Sequence, residues 1–81
     1  MMKMEDLRRL HQAQPFRPFA IHTADGRTFP IPHNEFLAYD PAGTTIIAFR
    51  TNHTWSILDL DLITELEILP RNGKTRRRAN K

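Results

Sequence analysis

The chain predicts an all-β domain with one N-terminal helix, folded as a small, strongly bent barrel of five or six strands. Three observations carry that expectation. Apolar residues recur at helical spacing only near the start; from Pro18 to Leu69 they follow a period of two in short runs. Those runs are broken roughly every 8–12 residues by clusters rich in Gly, Pro, Asp and Asn, the rhythm of short strands joined by tight turns.

Met4 to Ala13 reads as the helix. Met4, Leu7 and Leu10 form an apolar stripe, Glu5 and Asp6 occupy the first turn, and Arg8 and Arg9 follow. Pro15 ends it, because the residue before a proline is pushed out of the helical region. Ten residues do not hold a helix in water unaided, so the stripe must dock on the rest of the domain. In Pro15-Phe16-Arg17-Pro18-Phe19 the two rings are expected to pack the helix onto the sheet, with the prolines fixing the connection.

Pro18 to Thr23 alternates, with Phe19 and Ile21 on one face and Ala20 and His22 on the other. Asp25-Gly26 predicts a hairpin through a type I′ turn, and Arg27 to Ile31 returns with Phe29 and Ile31 inward. Pro30 and Pro32 are two apart, so two N–H donors are missing along one strand edge; that edge stays unpaired there or the strand bends. Glu35 to Asp40 gives a third strand, and Asp40-Pro41-Ala42-Gly43 spells a type I turn closing on a left-handed glycine. Thr44 to Arg50 is apolar on both faces (Ile46, Ile47, Ala48, Phe49) and is expected to be central. The segment from Thr51 to Thr54 turns the chain. Trp55 to Leu60 and Ile63 to Leu69 complete the set, with Glu65 and Glu67 alternating against Leu66 and Ile68.

Charge divides the chain in two. Its 81 residues carry 12 Lys and Arg against 9 Asp and Glu, a net of +3. Residues 1–70 hold six of the bases and all the acids, a net of −3, whereas residues 71–81 hold Arg71, Lys74, Arg76, Arg77, Arg78 and Lys81 and no acid. The expected domain is therefore 1–70, followed by a basic tail disordered when free. A domain of that size is marginal alone. With no Cys, disulfides cannot support it, which leaves a metal or self-association. No apolar run approaches the ~20 residues of a membrane span, and acids with two arginines follow the start closely, unlike a signal peptide. A soluble, cytoplasmic protein is expected.

The order of helix, Asp25-Gly26-Arg27 hairpin, bent strands and a final Ile-Thr-x-Leu-x-Ile-Leu-Pro segment resembles the Sm-like fold of Hfq-type RNA chaperones, a small barrel of the broader SH3-like kind. The motifs are also similar to those of small uncharacterised bacterial proteins that share LRRLxxAQPFRPFxIxxxDGRxF, then H-x-EFLA, then a closing strand before a proline. Here these are Leu7 to Phe29, His33 to Ala38, and Trp55 to Pro70. The Sm-like resemblance implies rings assembled by pairing the last two strands between subunits, and RNA contact around the pore. The chain departs from it where Hfq-type sequences place Lys-His: Leu58-Asp59-Leu60-Asp61 stands there, and carboxylates repel phosphate. The glycine of the first Sm motif is also replaced in the Pro30-Ile31 region.

Catalytic and metal chemistry find little support. His11, His22, His33 and His53 fall on a helix, a strand and two loops without ligand spacing, and read as hydrogen-bonding surface and turn residues. Ser56 is the single serine, and no nucleophile elbow or phosphate-cradling glycine loop occurs. No enzyme activity, cofactor, metal or small-molecule substrate is expected. The tail is the feature that favours a polyanion, so Lys74, Arg76, Arg77 and Arg78, with Arg17 and Arg27 from the body, are the candidate contacts to RNA. In the alternative, Leu58, Asp59, Leu60 and Asp61 form an acidic rim for a basic protein partner or the chain's own tail, although their spacing also fits leucines packed inside and acids in solvent. Trp55 reads as core or interface. A homo-oligomer is expected in the first case, a scaffolding barrel without a nucleic-acid role in the second.

Overall fold

A computed structural model describes residues 2–70; the basic tail lies outside them. The helix α1 (Met4–His11) precedes six strands: β1 (Phe19–Thr23), β2 (Thr28–Ile31), β3 (Leu37–Tyr39), β4 (Thr45–Phe49), β5 (Trp55–Asp59) and β6 (Ile63–Ile68). They form two antiparallel three-stranded sheets, β2-β1-β6 and β3-β4-β5, so β4 is central as its apolar faces predict. The architecture is mostly β with one helix, but the sheets do not close into a barrel.

Both corners where the chain changes sheet explain this. Between β2 and β3 a single 3₁₀ turn occupies Asn34–Phe36, and between β5 and β6 another occupies Leu60–Leu62. Each breaks the ladder that a continuously bent strand would carry. The expected strand from Glu35 thus begins at Leu37. Pro30 lies opposite Ala20, one step out of phase with the paired Thr23 N–H and Arg27 carbonyl. By the alternation of antiparallel ladders, its nitrogen and that of Pro32 face away from β1. The outer edge of β2 therefore lacks those donors.

The inner faces meet in one core of Phe19, Ile21, Phe29, Ile31, Leu37, Ile46, Ala48, Leu58 and Ile63, with Leu7 from the helix fully buried among them. Met4, Leu10 and Phe16 pack against this core, and the Phe16 and Phe19 rings are 5.9 Å apart. The helix ends at His11, two residues earlier than expected. There the imidazole bonds the Asn34 carbonyl through Nε2 and the Tyr39 hydroxyl through Nδ1, both at 2.8 Å. A carbonyl only accepts, so Nε2 carries the proton. His11 thus ties the helix to the β2–β3 corner.

The turn after β3 is as predicted. Gly43 sits at φ +73° and its N–H bonds the Asp40 carbonyl at 2.9 Å. The Asp40 carboxylate accepts the N–H groups of Thr45 and Thr44, and these bonds hold it below its ordinary value of 3.8. A Cβ on Gly43 would lie 2.4 Å from Cγ of Met4, so the helix approaches this turn because no side chain stands there.

The β1–β2 turn differs from expectation. Among its residues only Gly26 has positive φ (+87°), whereas a type I′ turn needs two such residues. The Gly26 N–H bonds the Thr23 carbonyl and the Thr23 N–H bonds the Arg27 carbonyl, both at 3.0 Å, making a three-residue loop with a left-handed glycine. Asp25 avoids the left-handed region and turns its carboxylate to the Thr23 hydroxyl and to Arg27 Nε at 2.9 Å.

Candidate functional site

The predicted basic residues of the body do not form one patch. Arg17 is exposed in the connection before β1, and Arg27 is exposed beyond its other end. A five-residue strand, about 16 Å long, separates them. Arg27 is also answered by Asp25, whose carboxyl is held below 3.8 chiefly by the Thr23 hydroxyl, with the Arg27 charge acting the same way. Lys74, Arg76, Arg77 and Arg78 lie outside the described residues.

In the Leu58–Asp61 segment the leucines turn inward and the acids outward. Leu58 is buried in the core and Leu60 is half-buried against it, so the leucines serve packing first. Asp59 and Asp61 are exposed, but Asp59 is engaged locally, since its carboxylate accepts the Asp61 N–H at 3.2 Å and caps the 3₁₀ turn. That cap accounts for a carboxylate interrupting an apolar run. Trp55 is 57% exposed and is not core.

Three other surfaces stand out. The outer face of β4 and β5 is apolar: Ile47 faces Ile57 and Phe49 faces Trp55 across the ladder, and Ile57 is 62% exposed. The outer face of β2-β1-β6 is polar instead. There His22 bridges Thr28 at 3.1 Å and Glu67 at 2.8 Å.

The third surface is a cleft of about 200 Å³ between β2 and the β4–β5 turn, lined by Pro30, Pro32, Phe36, Arg50, Thr51 and Asn52. The Arg50 guanidinium lies 4.6 Å from the centroid of the buried Phe29 ring, and Arg27 lies 5.3 Å from the same ring. Among the described residues Arg50 forms no ion pair. The Asn52 side-chain oxygen is taken by the Thr54 N–H and hydroxyl, which leaves its amide N–H groups as donors. Sequence reasoning missed Arg50. Its available signal was an arginine continuing the inward parity of Ile46 and Ala48.

Among the described residues no group of three His, Cys, Asp or Glu is arranged to hold a metal ion. No helix among them is long and apolar enough to cross a membrane. No protein-family model matches the chain, and neither the curated proteins nor the solved structures contain a match.

Proposed function

We propose that this chain is a non-enzymatic, self-associating Sm-like module that contacts RNA through its basic C-terminal tail. The observation that carries the reading is where the exposed apolar residues fall. Trp55 and Ile57 are on β5 and Ile68, 48% exposed, is on β6; each of these strands is the edge of its sheet. The β2 edge lacks the donors of two prolines and β3 has three residues, so β5 and β6 are the edges best able to add a strand. Pairing β5 of one copy with β6 of the next places these exposed apolar residues at one head-to-tail contact, which closes into a ring where the rotation between copies allows it and otherwise runs on as a filament. The tail, with six cations and no acid in residues 71–81, supplies salt-sensitive affinity for phosphate.

Light scattering on a sizing column tests the assembly: the expected mass is a multiple of 9.5 kDa, and a monomer overturns it. Trp55→Ser with Ile57→Ser is expected to release folded monomer. Binding of single-stranded RNA at two salt concentrations tests the second half. Neutralising Lys74, Arg76, Arg77 and Arg78 to Gln is expected to weaken binding and flatten its salt dependence, and absence of binding at low salt removes the RNA reading. The exposed Trp55–Ile57 row also favours a second reading, a protein-interaction module without a nucleic-acid role. A monomer that ignores RNA would support it.

A further inference from the structure

We propose that the cleft beside Arg50 is a binding site for one nucleotide, with the base against Pro30, Pro32 and Phe36 and the phosphate on Arg50. The walls and the donors divide the ligand in this way. Two proline rings and the half-buried Phe36 offer flat apolar surface, which suits a π-face and carries no sequence code. The Arg50 guanidinium carbon lies over the Phe29 ring, 4.6 Å from its centroid, and among the described residues it forms no ion pair, so its N–H groups can grip phosphate oxygens. Asn52 adds amide donors from the rim. The polar side chains lining the cleft are thus a cation with no ion pair among the described residues, a hydroxyl and an amide with its oxygen engaged, a set that favours an anion. At about 200 Å³ the space is below the ~300–1,000 Å³ of ordinary ligand clefts and admits one base rather than a run of them.

The nucleotide comes either free or as a residue of single-stranded RNA; the RNA source rests on the function proposed above, and the nucleotide chemistry does not. The test titrates the full chain with adenosine monophosphate and, separately, with a single-stranded oligoadenylate, following the Asn52 side-chain amide and Arg50 Nε signals by NMR. Both signals are expected to move with at least one probe. Arg50→Gln is expected to weaken the binding that moves them about tenfold or more, as the loss of a charge-assisted contact implies. Because Arg50 also covers Phe29, a second variant is needed. Asn52→Asp keeps the acceptor for Thr54 and the Arg50–Phe29 contact but places a carboxylate at the rim, and it is expected to weaken binding similarly. Oligoadenylate that binds without moving either signal overturns the cleft and leaves the RNA reading intact. Monophosphate that moves both signals while oligoadenylate fails to bind supports the cleft and removes the RNA reading. Equal affinity in both variants overturns the cleft.

Discussion

The β1–β2 and β4–β5 hairpins close through the same device. In each, a three-residue loop ends in a left-handed residue, Gly26 at φ +87° and His53 at φ +71°. The flanking pair is bonded in the same sense, Thr23 N–H to the Arg27 carbonyl and Arg50 N–H to the Thr54 carbonyl. The middle loop residue differs by one group: Asp25 in the first, Asn52 in the second. Asp25 pairs with Arg27, while Asn52 turns its oxygen to Thr54, and among the described residues Arg50 has no acid partner. Both arginines nevertheless rest on one ring, Phe29. Matching backbones therefore present one neutralised and one available cation on the same support.

The largest expected effect comes from removing that shared support. Phe29→Ala should cost about 3–5 kcal/mol, the range for truncating a buried ring, read from denaturant unfolding. A loss below ~1 kcal/mol would mean that Phe29 is not the common seat of the two hairpins. Next is Gly26→Ala. A Cβ there meets no atom within 4 Å, so the cost is conformational alone, about 1–2 kcal/mol. His53→Gly runs the same comparison in reverse. Relief of the left-handed penalty, offset by glycine's greater freedom in the unfolded chain, should raise stability by about 1 kcal/mol or less. A destabilised His53→Gly would show that the imidazole has contacts that outweigh its backbone.

The smallest effect concerns acid. The Asp25 carboxyl is held below its ordinary value of 3.8 in the folded chain. Its contribution is therefore present above that value and is lost as pH falls from there through the folded value. Asp25→Asn should lower the melting temperature slightly at neutral pH, change little in acid below that window, and so shrink the drop across it. Asn52→Asp should introduce a new dependence of the same sign, since its carboxylate gains Arg50 as a neighbour.

Much of this was legible in the chain. Period-two patterning located the strands, Ile46 to Phe49 marked a central one, and Asp40 to Gly43 spelled its turn. What escaped depended on partners distant in sequence. Closure into a barrel requires ladders across both corners, and nothing local in His33 to Phe36 or Asp59 to Leu62 announces a 3₁₀ turn strongly enough to break them. Asp25-Gly26 fits two kinds of hairpin turn, and the bond from Thr23 to Asp25 favours the one that keeps Asp25 out of the left-handed region. The outward aim of Trp55 follows from sharing parity with Ile57 and Asp59, but Ser56 and Leu58 make the opposite face equally plausible on composition. The cleft was illegible for a plainer reason: Arg50 and Pro30 are joined only by folding.

Gly43 carries a consequence for how this sequence can drift. Its position answers to a backbone in the left-handed region and to the volume of Met4, which occupies the space of the missing side chain. Met4→Ala removes the Cγ and Sδ but keeps the Cβ, 3.2 Å away, so it eases the second constraint and leaves the first, which asparagine meets better than most residues. Gly43→Asn should therefore be costly beside Met4 and less costly once Met4→Ala is in place, so that the substitutions tolerated at one site depend on the residue already present at the other.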